Sequence, residues 1–103
     1  MKKVLFVCSQ GMSSAIAVNA LKKEAEKNGI DLEIKAVSTQ EFEEEVKGGY
    51  DVAMVAPQIR HRFDYLKEYA EAANVPCALI QPQGYSPLGG ARLLKQVREL
   101  GNF

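Results

Sequence analysis

Two short stretches of this chain are apolar at every position, and they restrict the fold more than any other feature. Residues 4–7 read Val-Leu-Phe-Val, and residues 52–55 read Val-Ala-Met-Val. A strand without polar alternation is buried on both faces, as central strands of parallel sheets are. Apolar residues recur at helical spacing after each stretch, over 15–27 and again over 59–73. The sequence therefore predicts parallel strands that are connected by helices.

The rest of the chain continues this alternation. Residues 32–36 alternate apolar and charged side chains, which is typical of an edge strand with one face in water. Ser38 and Glu41 have the spacing of a capping box for a short second helix. We expect a fourth strand over residues 77–80 and a last helix that opens at Pro87 with Ser86 as its cap.

These elements predict a single domain over residues 1–103, with an α/β fold. It contains a single four-stranded parallel sheet, order 2-1-3-4, with helices on both faces, an arrangement of the flavodoxin-like or low-molecular-weight phosphatase-like kind. This order places the two strands that are buried on both faces at the centre of the sheet. It places the strand with one solvent-exposed face at an edge. It reverses direction between strands one and three, so a ligand crevice is expected beyond their carboxyl ends. Those ends are Cys8 and the pair Pro57 and Gln58.

Composition excludes several classes of function. The 13 basic and 13 acidic residues give a formal net charge of zero, which argues against nucleic-acid binding through a basic face. The apolar run at residues 4–8 is too short for a signal-peptide core or a membrane span, so we expect a cytoplasmic protein. Cys8 and Cys77 are expected to lie roughly 13 Å apart at opposite strand ends, too far for a disulfide.

A turn rich in serine and glycine links the first strand to the first helix. A helix N-terminus directs unpaired N–H groups and the positive end of its dipole to one place, which suits phosphate. The same environment favours the thiolate form of Cys8. We therefore predict that Cys8 is a nucleophile inside a phosphate-binding loop. The predicted phosphate-binding residues are Ser9, Gln10, Gly11, Met12, Ser13 and Ser14.

This loop, placed directly after a short amino-terminal strand, resembles the phosphorylation loop of the IIB components of the bacterial sugar phosphotransferase system. The similarity is greatest to the lactose/cellobiose (chitobiose) family and extends over the whole chain, including Ala56-Pro57-Gln58-Ile59 after the third strand. The resemblance implies a phosphotransferase in which Cys8 accepts phosphate from a phosphohistidine of a IIA component. The phosphate then passes to a sugar that enters through the membrane component IIC.

The resemblance also implies a sugar such as cellobiose, chitobiose or lactose, all β-linked disaccharides. It implies no cofactor and no metal, and transient association with the inner face of the membrane through IIC. Since a carrier that docks successive partners works well alone, a monomer is expected.

A cysteine phosphatase or arsenate reductase on the same fold is the alternative function. The tyrosine-phosphatase loop has an arginine at the sixth position after its cysteine, and this chain has Ser14 there. An arginine fork would bind phosphate oxygens bidentately. Residues 81–86 also contain no aspartate to serve as a general acid. A thiol redox protein is disfavoured because the chain has no Cys-x-x-Cys motif. A receiver module is disfavoured because no aspartates stand at the end of the first strand.

Other residues have structural explanations beside functional ones. Cys8 itself has the alternative of a small buried hydrophobe, and the loop serines have the alternative of helix caps. Arg60, His61 and Arg62 are either solvated helix residues or a small basic rim for an acidic partner. The predicted rim of the site, for phosphate or for partner docking, consists of Pro57, Gln58, Gln83, Gly84, Tyr85 and Ser86.

Overall fold

The computed structural model describes residues 2–8, 15–81 and 89–102. Within these ranges strands and helices alternate in the order that the amino-acid sequence predicts. The strands are β1 (Lys2–Cys8), β2 (Leu32–Ser38), β3 (Val52–Val55) and β4 (Cys77–Leu79). The helices are α1 (Ala15–Lys27), α2 (Thr39–Glu45), α3 (Phe63–Ala72) and α4 (Gly90–Gly101). Two 3₁₀ segments, Val46–Gly48 and Pro57–Arg62, follow α2 and precede α3.

The four strands form one parallel sheet in the order β2-β1-β3-β4. Its centre is β1, which pairs with β2 along its whole length and with β3 from Val4 to Val7. The predicted fold class and strand order are therefore confirmed. The strand β2 has alternating exposure, as expected for an edge strand, whereas every residue of β3 is buried.

Helices cover both faces of the sheet, and each face has its own apolar cluster. On one face α1 and α4 enclose a cluster around Phe6, Leu21 and Leu93. On the other face α2 and α3 enclose a cluster around Val7, Phe42 and Leu66. Because β1 and β3 contribute to both clusters, they are buried on both sides, which explains their uninterrupted apolar sequence.

Local features of the sequence explain where α1 ends and where α2 begins. Gly29 follows α1 with φ of +67°, in the left-handed region that glycine adopts easily. At the start of α2, the backbone N–H of Ser38 donates to Glu41 Oε1 at 3.2 Å, so Glu41 fulfils its part in the predicted capping arrangement. Phe42 and Val46 both point into the core.

Two predicted helix starts are wrong. The α geometry of α3 begins at Phe63, because Ile59 has φ of −114° and ψ of 28° and interrupts the helix that its spacing predicted. The helix α4 begins at Gly90 with Gly89 before it, so it does not open at Pro87. Ser86 and Pro87 themselves lie outside the described residues. Across the described ranges, no helix has the length and apolar character needed to cross a membrane.

Candidate functional site

Cys8 is the last residue of the central strand β1, at the carboxyl edge of the sheet. Its side chain is 0% exposed and belongs to the cluster with Leu5 and Val7 on the α2–α3 face. Strict strand alternation would have placed Cys8 with Val4 and Phe6 on the opposite face. The nucleophile of the predicted site is therefore covered by other residues in this conformation.

The end of β3 lies directly beside Cys8. Val55 pairs with Val7, and the backbone N–H of Ala56 donates to the carbonyl oxygen of Val7 at 2.9 Å. The next residue, Pro57, is half-buried, and Gln58 is exposed. The structure thus brings Cys8 and the Pro57-Gln58 turn to adjacent strand ends, at the point where the strand order reverses.

The other neighbour of Cys8 is the end of β2, which sequence reasoning did not include in the site. Ser38 is the register partner of Cys8. The hydroxyl of Ser38 donates to Glu41 Oε1 at 3.0 Å, so a carboxylate lies at the same edge. The capping-box spacing predicted the Ser38–Glu41 pair, and the strand order 2-1-3-4 already implied that β2 ends beside β1. Combining those two inferences would have found this neighbour.

A glutamine of α4 fixes the chain where it leaves β4. The side-chain Nε2 of Gln96 donates to the carbonyl oxygen of Leu79 at 2.7 Å, and its Oε1 accepts the backbone N–H of Gln81 at 3.3 Å. These bonds occupy backbone groups on the side of β4 that has no neighbouring strand in the sheet. Local sequence patterns do not indicate this contact, because Gln96 and Leu79 are 17 residues apart.

Much of the predicted loop and rim lies outside the described residues. On the amino-terminal side these are Ser9, Gln10, Gly11, Met12, Ser13 and Ser14. On the carboxyl-terminal side they are Gln83, Gly84, Tyr85 and Ser86. Their predicted roles therefore stay predictions.

The second cysteine is in a different chemical position. Cys77 is the first residue of β4, and its register partner Ala53 lies two residues before Val55. Neither cysteine forms a disulfide, as predicted. Burial raises the pKa of the Cys77 thiol to about 11, Glu71 adds to the rise, and Lys67 opposes it. Cys77 is therefore a protonated core residue at neutral pH.

The cavities and polar clusters of the described residues offer no competing site. A groove of about 600 Å³ lies between α1 and α4, with Glu24, Lys95 and Arg98 among its lining residues. It extends toward Asn28 and Asn102, at the helix ends away from Cys8. Over the described ranges, no group of three or more His, Cys, Asp or Glu side chains is arranged to hold a metal ion.

Comparison with known proteins gives the family. Residues 3–96 match the family model described as the lactose/cellobiose-specific IIB subunit of the phosphotransferase system (PTS). The chain is 31% identical to the PTS galactose-specific EIIB component of Lactococcus lactis subsp. cremoris, over 98% of this chain and 97% of that protein. It is also 31% identical, with the same coverage, to the cellobiose-specific EIIB component of Lactococcus lactis subsp. lactis.

Structural comparison agrees. The lactose-specific IIB domain of Streptococcus pneumoniae superposes with a TM-score of 0.80 over 96% of both chains, at 23% identity. That similarity supports the fold, and the matches in sequence support the family. The chain therefore belongs to the lactose/cellobiose-specific IIB family of the sugar phosphotransferase system, whose members are phosphotransferases.

Proposed function

We propose that Cys8 carries the phosphoryl group in this protein. It would receive the group from a phosphohistidine of the IIA component and pass it to a sugar held by IIC. The observation that supports this proposal best is the position of Cys8, at the end of the central strand and beside the end of β3. In open α/β sheets the reacting group lies at such a reversal of strand order.

Membership of the IIB family implies partnership with IIA and IIC components of the same system. The chemistry at Cys8 would have two steps. In the first, the thiolate sulfur attacks phosphorus, an S–P bond forms, and the P–N bond to histidine breaks with its electron pair returning to nitrogen. In the second, a sugar hydroxyl oxygen attacks phosphorus and the S–P bond breaks. The thiolate is regenerated, and the hydroxyl proton passes to solvent.

The loop that follows Cys8 would hold the phosphoryl oxygens. Phosphoryl transfer depends on positioning and on donors for the equatorial oxygens. Backbone N–H groups and hydroxyls of residues 9–14 supply donors of that type. The loop lies between the end of β1 at Cys8 and the start of α1 at Ala15, so the positive end of the α1 dipole adds to the attraction.

The burial of Cys8 fits a carrier better than a hydrolase. A carrier must keep water away from the S–P bond until its partner arrives. A side chain that is 0% exposed provides such exclusion. We infer that docking of IIA or IIC uncovers the sulfur, and that phosphate transfer in isolation from those partners is slow.

The sugar is proposed from the family. The relatives compared above are named for galactose and cellobiose, so family membership alone does not select one sugar. We propose a β-linked disaccharide such as cellobiose, chitobiose or lactose, with specificity residing in IIC. The protein would act in the cytoplasm as a monomer, at the inner face of the membrane when it meets IIC.

The test is phosphorylation in a reconstituted system. The protein is incubated with phosphoenolpyruvate, the general phosphotransferase proteins and IIA components of the lactose/cellobiose class. We expect intact-mass spectrometry to show one added phosphoryl group, which Cys8→Ser abolishes and the matched variant Cys77→Ser retains. Equal phosphoprotein yield from Cys8→Ser would overturn the proposal. Rapid hydrolysis of p-nitrophenyl phosphate that depends on Cys8 would instead favour the phosphatase alternative.

A further inference from the structure

Two large apolar side chains stand out as exposed among the described residues, and both lie close to the carboxyl edge of the sheet. Ile16 is 57% exposed and Tyr65 is 47% exposed. Each belongs to the first turn of its helix, Ile16 in α1 and Tyr65 in α3. These helices follow β1 and β3 and cover opposite faces of the sheet. The two side chains therefore flank the edge that contains Cys8 from its two sides.

A cluster of basic side chains, two arginines and a histidine, adjoins Tyr65. Arg60, His61 and Arg62 are all exposed and end the 3₁₀ segment that begins at Pro57. A 3₁₀ rise of about 2 Å per residue keeps the segment within roughly 12 Å of Ala56, whose N–H bonds to the residue before Cys8. The basic side chains thus lie near the predicted nucleophile.

Among the residues that the structure describes, these basic side chains have no ion-pair partner. The four ion pairs found within residues 2–8, 15–81 and 89–102 are all formed by lysines, and none includes Arg60, His61 or Arg62. The Nη1 of Arg60 donates to the carbonyl oxygen of Pro57, at a long distance of 3.5 Å. The nearest carboxylate along the chain is Asp64, in the first turn of α3, where the helix N-terminus favours it.

This segment is anchored by buried Ile59, and its basic side chains are exposed to solvent. The side chain of Ile59 is 3% exposed, and its N–H donates to the carbonyl oxygen of Ala56 at 3.1 Å. Tyr65 is held by an edge-to-face contact with Tyr69, with ring centroids 5.1 Å apart. A surface on a fixed backbone loses less entropy on binding than a loose one. Arginine and tyrosine are also residue types that interfaces favour.

We propose that Ile16, Arg60, His61, Arg62 and Tyr65 form a docking rim for the phosphohistidine donor, through an acidic surface of that IIA protein with apolar residues near it. This inference rests on the proposed function of Cys8. The apolar side chains supply contact on both sides of the sheet edge, and the cations steer and orient the partner. The rim binds the partner protein rather than the transferred phosphoryl group.

The test compares two matched charge reversals. In one variant Arg60→Glu and Arg62→Glu are combined. In the control Lys22→Glu and Lys23→Glu are combined, which changes the net charge equally on an exposed part of α1. The initial rate of Cys8 phosphorylation is measured against the concentration of phosphorylated IIA from the Lactococcus lactis galactose and cellobiose systems, at low and high salt. Circular dichroism melts check that both variants fold.

We expect the arginine variant to raise KM for IIA about tenfold at low salt with kcat unchanged, and the control to raise it less than about twofold. The difference should shrink at high salt, where surface charges are screened. Ile16→Ala should raise KM about threefold at both salt concentrations, since apolar contact is not screened.

The outcomes separate the two proposals. If the parent protein accepts no phosphate from any IIA tested, the proposed function of Cys8 is wrong. If the parent is phosphorylated but both reversals raise KM equally, or neither does, the docking rim is wrong. A fall in kcat at unchanged KM would also overturn the rim, because it would place the arginines on the phosphoryl group.

Discussion

The two cysteines show how much position decides the chemistry of one residue type. Both belong to the apolar cluster on the α2–α3 face. Cys8 ends the central strand, whereas Cys77 begins the edge strand β4. The register places Cys77 about three residues before the level of Cys8, roughly 10 Å along the strand direction. A buried thiol becomes a nucleophile only where a partner can reach it and anion-stabilising groups surround it.

A first prediction concerns the reactivity of Cys77. In the Cys8→Ser variant, iodoacetamide at pH 8 should modify Cys77 at least about a hundredfold more slowly than a cysteine in a short peptide. The reason is that burial raises the pKa of Cys77 to about 11, so about one thiol in a thousand is ionised at that pH. Intact-mass spectrometry over time measures the rate. Modification at the peptide rate would contradict the assignment of Cys77 to the core.

The raised pKa of Cys77 also determines how its contribution to stability changes at alkaline pH. Because the folded pKa of Cys77 is raised above its usual value of 9.0, its contribution to stability is complete below pH 9. That contribution is lost as the pH rises toward 11, where the unfolded chain releases its proton more readily.

At the scale of elements, close approach between helices is decided at single positions. Gly90 is the first residue of α4, where the helix passes α1. A Cβ added to Gly90 would lie 2.6 Å from the carbonyl oxygen of Ala20, and backbone cannot move aside as a flexible side chain can. The contact explains why glycine, a residue with poor helix propensity, begins this helix.

We therefore predict that Gly90→Ala lowers the free energy of unfolding by about 2 kcal/mol, despite the better helix propensity of alanine. Gly48→Ala is the matched control, because its Cβ would meet only the Tyr50 ring at an ordinary 3.7 Å. That control should change stability by less than about 0.5 kcal/mol. Urea denaturation measures both, and equal effects would refute the steric explanation.

The contact between α4 and β4 gives a second prediction at this scale. Gln96→Glu should lower the free energy of unfolding by about 2 kcal/mol near neutral pH. The cause is that a carboxylate oxygen would replace the Nε2 donor, 2.7 Å from the carbonyl oxygen of Leu79. Gln96→Met removes the bonds without adding repulsion and should cost about 1 kcal/mol. If the two variants unfold at the same urea concentration, the side chain does not make this bond in solution.

Across the whole molecule, the two edges of the sheet have different roles. The carboxyl edge holds Cys8 and the proposed docking rim. Nearer the amino edge, polar contacts join separate elements: Tyr50 O–H donates to Glu45 Oε1 at 2.8 Å, and Lys35 Nζ lies 2.9 Å from the same oxygen. Lys3 of β1 lies over the Tyr50 ring, 4.9 Å from its centroid. These contacts connect β1, β2, α2 and the residues just before β3, away from Cys8.

This network predicts how stability depends on alkaline pH. Burial, with the hydrogen bond to Glu45, raises the pKa of Tyr50 to about 12 from 10.0. The pKa of Glu45 is lowered, first by its hydrogen bond with Lys35 and then by its hydrogen bond with Tyr50. Both shifts are those that a hydrogen bond from the Tyr50 hydroxyl to the Glu45 carboxylate produces. A raised folded pKa means that the contribution of Tyr50 is complete below pH 10 and is lost as the pH rises through 12.

Tyr50→Phe should therefore lower stability by about 1 kcal/mol at pH 7, because the hydrogen bond to Glu45 is lost. Its free energy of unfolding should also fall less steeply than that of the parent between pH 10 and pH 12. Urea titrations across that range measure both effects. Parallel curves for the two proteins would show that Tyr50 does not couple folding to alkaline pH.

The class of fold and the place of the candidate site follow from patterns in the sequence. The spacing of apolar residues within each short segment predicts whether that segment is a strand or a helix. Two strands are central because their apolar runs, at 4–7 and 52–55, are uninterrupted. The strand β2 lies at an edge because one of its faces is exposed to solvent, and these two assignments give the strand order. Because that order reverses beside β1, it also places Cys8 at the crevice.

Contacts between residues far apart in the chain come from the tertiary structure alone. It brings Gln96 against Leu79 and Gly90 against Ala20. It also began α3 at Phe63 where periodicity predicted a continuous helix, because the buried Ile59 turns inward in a 3₁₀ segment. These features depend on register and on packing between segments far apart in the chain, and local residue patterns do not encode such contacts.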